Sequence, residues 1–184
     1  MKKTVIIGGK LTLICAIAAL SLGFVNALTE PVIAAIKKIE LEKALAAVSA
    51  GGKVGEGITV ETKGAIKVYY PVSDIPGGKE GYIVKLTATG YGGDMTILAG
   101  FSSAGEILSV KLMDNSETPG LGKVAEKDSY MEKFIGTGGE KKIPVRKTQL
   151  SQSEADAITG ATITFIGIAK ALEAGSEFAK SVKR

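Results

Sequence analysis

Histidine is absent from this chain of 184 residues, and Cys15 is its one cysteine. Catalysis by a Ser-His-Asp or Cys-His arrangement is therefore excluded, and so is an intrachain disulfide. The same shortage excludes a Cys/His zinc site, an attached c-type haem and an iron–sulfur cluster held by this chain alone. If the protein carries out redox chemistry, the electrons must reside on a bound organic cofactor. Cys15 lies in an apolar run, where packing is a simpler interpretation than a ligand shared with a partner subunit.

A basic surface is also missing from most of the chain. The formal net charge is +4, but Lys2, Lys3 and Lys10 belong to the first 28 residues, which contain no acid. The remainder has 20 basic and 19 acidic residues, and no basic stripe or block of like charges stands out in it. Nucleic acid is therefore not expected as a partner.

Residues 1–28 have the pattern of a transmembrane anchor. Lys2 and Lys3 precede a run from Val5 to Leu28 in which apolar residues dominate. The charge rule places the N-terminus in the cytoplasm, so residues from about 30 onward would lie outside the cytoplasmic membrane. A cleaved signal peptide is the alternative, although no short apolar core ends in a clear small-residue cleavage site.

Residues 29–50 predict a juxtamembrane helix that restarts after the anchor. Thr29 would be its N-cap, Pro31 is tolerated in a first turn, and Gly51-Gly52 would end the helix. Residues 51–184 would then form one extracytoplasmic domain, which is an ordinary size for a single globular unit.

The pattern of this domain predicts an α+β fold, an antiparallel sheet packed with helices and carried on one N-terminal transmembrane helix. Alternation in the stronger strand segments indicates a sheet with one covered face. A helix is predicted over Lys123 to Phe134, an edge strand over Ile143 to Val145 and a last helix over Ile163 to about Lys183. The predicted strands are Ile58–Thr62, Ala65–Tyr70, Tyr82–Thr89, Met95–Phe101 and Ile107–Met113, with turns that include Pro76-Gly77-Gly78 and Gly90-Tyr91-Gly92-Gly93.

The run Thr159-Gly160-Ala161-Thr162 directly precedes the last predicted helix. The first N–H groups of a helix have no intrahelical partner and face the positive end of its dipole, which favours an anion such as phosphate. Gly160 and Ala161 are small enough for the backbone to approach a ligand closely. By itself the tetrapeptide is explained more simply if Thr159 is only an N-cap.

A second motif is Asn115-Ser-Glu-Thr-Pro-Gly-Leu-Gly122, directly after a predicted strand. Pro119-Gly120 predicts a tight turn, in which proline sets the first central φ and glycine accepts a positive φ at the second. An ordinary strand-to-helix connection would have the same pattern.

Three motifs in order behind one N-terminal span resemble a known family. They are Gly90-Tyr-Gly-Gly-Asp-Met95, Glu117-Thr-Pro-Gly-Leu-Gly122 and Thr159-Gly-Ala-Thr162. The pattern resembles the FMN-binding G subunit of Rnf-type ferredoxin:NAD complexes, and it is shared by the related C subunit of sodium-translocating NADH:quinone reductases. The compact length favours the first branch.

The resemblance implies an electron-carrying subunit that is not a complete enzyme alone. In that family a separate flavin transferase links FMN through its phosphate to the last threonine of the motif, here Thr162. The remaining subunits of an Rnf-type membrane complex would be the partners. The family pattern further implies that Thr159, Gly160 and Ala161 cradle the phosphate, and that Tyr91, Gly92, Glu117, Thr118, Pro119, Gly120, Leu121 and Gly122 line the flavin.

One position departs from the family pattern. Members often have histidine two residues before the Glu-Thr-Pro-Gly-Leu-Gly run, and this chain has Asn115 there. A proton-transfer role for that histidine is therefore not expected here. No catalytic or metal-binding residue is assigned.

Two other functions fit parts of the sequence. One is a free-standing extracellular flavoprotein. The other is a pilin-like structural protein, since a basic start and a long apolar helix precede a sheet. Pilins usually carry glutamate five residues into the mature helix, and a cut after Gly23 would put Leu28 there.

Overall fold

The computed structural model describes residues 2–60, 64–76 and 79–182. Its first element is the continuous helix α1, Lys2–Val48, which contains Pro31. The predicted helix restart is wrong, because the Thr29 hydroxyl donates to the Val25 carbonyl (2.9 Å) and so bonds inside the helix. The described part of the chain has one helix that is long and apolar enough to cross a membrane, over Ile6–Val48.

The chain divides into two compact units, Met1–Glu42 and Lys43–Arg184. The predicted segment boundaries at residues 28 and 50 stay predictions. Within the second unit, α1 ends at Val48, and Ala50 and Gly51 both have positive φ (51° and 83°). The helix thus ends beside the predicted Gly51-Gly52 stop. A left-handed backbone cannot continue a right-handed helix, and glycine adopts it without strain.

Six strands form one antiparallel sheet, which confirms the α+β prediction. The strands are β1 Lys53–Val54, β2 Ile58–Thr59, β3 Ile66–Ile75, β4 Lys79–Thr89, β5 Asp94–Ser102 and β6 Ile107–Asp114. Their order in the sheet is β1-β3-β4-β5-β6, and β2 pairs with β3. The ends of the predicted Ile58–Thr62 strand and of the Pro76-Gly77-Gly78 turn lie outside the described residues.

Both faces of the sheet are covered at its centre, so the prediction of one covered face is wrong. Ile83 and Val84 are neighbours on β4 and both have no exposed surface. Since adjacent residues of a strand point to opposite faces, each face has its own covering layer. The end of α1 lies against one face, where the Ser109 hydroxyl donates to the Val48 carbonyl (2.7 Å).

The last helix, α4, is Thr162–Val182 and covers the other face. Phe165, Ile168 and Leu172 recur at helical spacing and have no exposed surface. The Phe165 ring stacks on Phe134 with 5.5 Å between centroids. This packing holds the amino end of α4 beside the end of β4 and the loop after β6, so the core positions the three sequence motifs.

The predicted helix over Lys123 to Phe134 is instead three short pieces. They are a 3₁₀ turn Gly122–Glu126, the helix α2 Asp128–Met131 and a 3₁₀ turn Glu132–Phe134. Lys127 is extended (φ −74°, ψ 132°) and breaks the helix. Ala125 and Tyr130 are both buried, and a five-residue spacing on one straight helix would have put them on different sides.

The predicted edge strand over Ile143 to Val145 is absent from the described residues. The N–H groups of Val145 and Arg146 donate to the side-chain oxygen of Gln149 (2.9 and 2.8 Å), in place of a neighbouring strand. A 3₁₀ turn Lys147–Gln149 and an unpredicted helix α3, Gln152–Ala157, follow. Ser151 caps α3 through a hydrogen bond between its hydroxyl and the Glu154 N–H.

Candidate functional site

The helix α4 begins at Thr162, as the sequence predicts to within one residue. Gly160 has a positive φ (86°), which turns the chain sharply before the helix. The Ala161 carbonyl accepts the first helical hydrogen bond, from the Phe165 N–H (3.0 Å). Ala161, and not Thr159, is therefore the residue directly before the helix, and the N-cap interpretation of Thr159 is wrong.

The Pro119-Gly120 turn forms as predicted. The Leu121 N–H donates to the Thr118 carbonyl (3.2 Å), and Gly120 has φ 79° at the second central position. Asn115 supports the same loop from its start, because its side-chain oxygen accepts from the Glu117 N–H (3.1 Å). Its amide group donates to Glu126 (2.9 Å) and holds the pKa of that carboxyl below its usual value.

A buried carboxylate joins the first two motifs to the helix that follows the third. Glu117 is 3% exposed. One of its oxygens accepts from the Gly92 N–H (3.1 Å), and the other accepts from the Thr164 hydroxyl (2.9 Å). The turn after β4, the loop after β6 and the first turn of α4 thus meet at one side chain.

Three glycines are required by how closely these segments approach. A Cβ atom on Gly90 or Gly122 would collide with the Glu117 carboxylate, and one on Gly92 would collide with the Ser116 carbonyl. In each case the obstacle is held in place by backbone or by hydrogen bonds. The glycines of the first two motifs thus allow the loops to close around Glu117.

A cleft of about 390 Å³ opens where the motifs meet. Predicted residues supply most of its walls, and Ile163 and Thr164 complete it. The predicted residues that line it are Tyr91, Glu117, Thr118, Leu121, Gly122, Gly160, Ala161 and Thr162. Four predicted residues do not line it. Gly92 donates its N–H to Glu117, the exposed Pro119 and Gly120 form the turn, and Thr159 lies before the helix.

The mouth of the cleft has an apolar rim. Tyr91 is 75% exposed, Leu121 47% and Ile163 55%. A neighbouring cleft of about 450 Å³ shares Ile163 with this cleft and is lined by Ala65, the end of β4 and α4, and it contains no residue of the three motifs. The first cleft is therefore the one that the motifs build.

Three threonine hydroxyls lie near the start of α4 and have different environments. The Thr159 hydroxyl accepts from the Lys147 ammonium (2.8 Å) and donates to the Ala155 carbonyl (3.2 Å). Thr164 is 1% exposed, and its hydroxyl donates to Glu117. Thr162 is exposed, and among the described residues its hydroxyl forms no hydrogen bond.

Sequence reasoning missed Lys147, Ile163 and Thr164. Thr164 lies two residues after the recognised motif, and its hydroxyl is the kind of group that a buried carboxylate requires. Lys147 is brought to Thr159 by the 3₁₀ turn and α3, which were not predicted. No local pattern marks it.

The phenol of Tyr130 is the one buried side-chain polar atom without a hydrogen-bond partner among the described residues. Burial raises the pKa of this phenol, and the negative charge of Glu117 raises it further. Tyr130 is therefore neutral at physiological pH.

Residues 90–177 match the family of FMN-binding domains. The match begins at the turn after β4 and includes all three motifs and most of α4. It thus covers the walls of the cleft described above.

Relatives that resemble this chain are named as G subunits of ion-translocating complexes. The G subunit of an ion-translocating oxidoreductase complex from Methanosarcina acetivorans is 32% identical over 116 residues, 61% of this chain and 58% of the relative. The G subunit of a proton-translocating ferredoxin:NAD(+) oxidoreductase complex from Clostridium ljungdahlii is 31% identical over 52% of this chain and 51% of the relative. Its Na(+)-translocating counterpart from Acetobacterium woodii is 38% identical over 46% and 42%. The matched region spans about half the length of these relatives, and the predicted resemblance to G subunits is confirmed.

Proposed function

Because the chain carries an FMN-binding domain and resembles G subunits of ion-translocating oxidoreductase complexes, we propose that it is the electron-carrying flavoprotein subunit of such a complex. The complex would transfer electrons between ferredoxin and NAD and couple this transfer to ion movement. FMN would be attached by a phosphoester to Thr162.

The accessible hydroxyl of Thr162 is the observation that carries the proposal. A transferase must reach the hydroxyl, and the hydroxyl must be free to form the new bond. Thr164 fails the first requirement because it is buried, and Thr159 is already hydrogen-bonded to Lys147 and Ala155. Thr162 meets both requirements at the edge of the cleft.

The surroundings of Thr162 suit a phosphate. The amino end of a 21-residue helix offers free N–H groups and positive potential. Lys147, which contacts Thr159, adds one cationic side chain at this edge. A phosphate linked at both ends carries about one negative charge, so one helix end and one lysine are a reasonable complement.

The cleft suits the ring system. Its volume of about 390 Å³ is within the usual range for small-molecule sites, and Tyr91, Leu121 and Ile163 offer apolar surface at its mouth. FMN would supply the electron storage. The chain would orient the flavin, exclude water from one side of it and set the electrostatic potential around it.

The N-terminal helix would anchor the subunit by a single span. Residues 6–28 on a helix extend about 35 Å, enough for a hydrocarbon core of about 30 Å. Lys2 and Lys3 favour a cytoplasmic N-terminus, so the flavin domain would face the exterior. A covalent bond would prevent loss of the flavin by dissociation there. Other membrane subunits of the complex and a flavin transferase would be the partners.

The test is intact mass spectrometry of the native membrane form, followed by in-gel flavin fluorescence of variants after denaturation. We expect a mass increase for FMN, no fluorescence from Thr162→Ala, and retained fluorescence from Thr162→Ser, since the bond requires a hydroxyl. Thr159→Ala is the matched control and should remain fluorescent. Fluorescence from Thr162→Ala would rule out Thr162 as the attachment site.

Co-purification tests the place of the subunit in a complex. We expect mild detergent extraction to recover other membrane subunits with the tagged full-length chain. Recovery of an isolated monomer with full flavin occupancy would favour a free-standing flavoprotein. Recovery with quinone-reductase subunits would favour the C-subunit branch.

A further inference from the structure

The carboxylate of Glu117 is a buried charge in the wall of the cleft. We propose that Glu117 is a positioning residue that also lowers the reduction potential of the flavin held in this cleft. The inference rests on the proposed function, because it requires a flavin at this site. It concerns a side chain that does not touch the attachment hydroxyl.

The Glu117 carboxylate acts as a hydrogen-bond acceptor at both of its oxygens. One accepts from the Gly92 N–H and the other from the Thr164 hydroxyl. Thr164 lies in the first turn of α4, where the helix dipole stabilises a negative charge. Two donors directed at the two oxygens of Glu117 match a carboxylate, which offers only acceptors.

No cation neutralises this charge at close range. The ion pairs within the described residues are Lys53–Asp74 and Lys123–Glu126, and neither includes Glu117. The nearby phenol of Tyr130 is neutral, and Asn115 contacts only the backbone N–H of Glu117. Neutral dipoles orient around a charge and weaken its field, but they do not change the net charge. The field of Glu117 therefore extends into the cleft that it lines.

A buried negative charge makes the addition of electrons to a neighbouring group less favourable. The effect is stronger at this position than on the surface, because Glu117 is 3% exposed and little water screens it. The protein can set the electronics of a flavin through the charges beside its ring. Glu117 would thus favour a flavin that donates electrons readily.

The same residue would shape the cleft before the flavin arrives. Its two hydrogen bonds join the Gly92 turn to the first turn of α4, and its side chain fills the space beside Gly122. Removing the charge and shortening the side chain should therefore have different consequences. Glu117→Gln keeps the shape and one acceptor, whereas Glu117→Asp keeps the charge on a shorter stem.

The test is a spectroelectrochemical titration of the full-length flavinylated protein in detergent. We expect Glu117→Gln to shift the midpoint potential of the flavin to more positive values, and Glu117→Asp to remain close to the unsubstituted protein. Glu126→Gln is the matched control, since it removes a carboxylate charge that is nearby in the chain but exposed to solvent. It should leave the potential unchanged.

A second variant keeps the test decisive if Glu117→Gln does not fold. Thr164→Val removes one donor and leaves the carboxylate charge less compensated, so the potential should shift the opposite way, to more negative values. An unchanged potential in flavin-loaded Glu117→Gln, or a positive shift in Thr164→Val, would overturn the proposal. An unsubstituted protein without bound flavin would instead refute the proposed function.

Discussion

Thr162 and Thr164 lie two residues apart in the first turn of α4 but have opposite environments. Thr162 is exposed at the edge of the cleft, whereas Thr164 is 1% exposed and donates to Glu117. Two positions along a helix correspond to a rotation of about 200°, so one side chain faces solvent when the other faces the core. The same chemical group is available for a new bond on one side and holds the site together on the other.

The comparison separates reactivity from stability within one motif. A hydroxyl that accepts a phosphoester must have no structural task, since the bond would remove its proton. Removing a hydroxyl that donates to a buried carboxylate destabilises the fold, because the acceptor is left unsatisfied. The two threonines divide these tasks, and identical substitutions at the two positions should therefore have opposite effects.

The largest expected effect comes from Thr162→Val, which replaces the hydroxyl with a methyl group of similar size. We expect complete loss of the covalent flavin in the intact mass. The free energy of unfolding of the full chain, measured by thermal unfolding, should change by no more than about 0.5 kcal/mol, as for an ordinary surface substitution. A large loss of stability would contradict the view that Thr162 has no structural task.

The next effect comes from Gly92→Ala, because the new Cβ would collide with the Ser116 carbonyl and disturb the N–H group bonded to Glu117. We expect a loss of about 3 kcal/mol of stability, measured by thermal unfolding, together with reduced flavin incorporation. Gly64→Ala is the control, since a Cβ there meets no atom within 4 Å. Equal behaviour of the two variants would contradict the predicted close approach.

Thr164→Val should destabilise the protein by about 1–3 kcal/mol, because a buried charged acceptor loses its donor. The covalent flavin should remain, since Thr162 is intact. The expected results, lower stability by unfolding and a retained flavin by intact mass, are the reverse of those expected for Thr162→Val. The comparison fails if Thr164→Val loses the adduct and keeps its stability.

The smallest effect is expected from Lys147→Met, which removes the ammonium group bonded to Thr159. The contact is exposed, so the change in stability should be below about 1 kcal/mol. The fraction of chains that carry flavin, measured by intact mass, should fall moderately as the phosphate loses a cation. Lys142→Met, at an exposed lysine, should match the unsubstituted protein.

Much of the fold could be predicted because it depends on local patterns. Each of the predicted strand segments before the second motif corresponds to a strand, and the end of α1 and the Pro119-Gly120 turn occur where Gly residues permit positive φ. The errors arose where distant contacts overruled local preference. Lys127 interrupts a helical pattern so that Ala125 and Tyr130 can both reach the core, and Gln149 takes the N–H groups expected for an edge strand.

The sequence by itself determined the excluded chemistries, the apolar N-terminal helix and the three motifs that resemble a flavin-binding family. Apart from the family resemblance, which points to Thr162, it could not distinguish Thr159, Thr162 and Thr164, because a hydroxyl has the same local chemistry at all three positions. Only the tertiary structure brought Lys147 to Thr159 and Glu117 to Thr164, and left Thr162 exposed beside the cleft. These contacts join residues 12 and 47 positions apart, and such separations are closed by core packing and not by any local pattern.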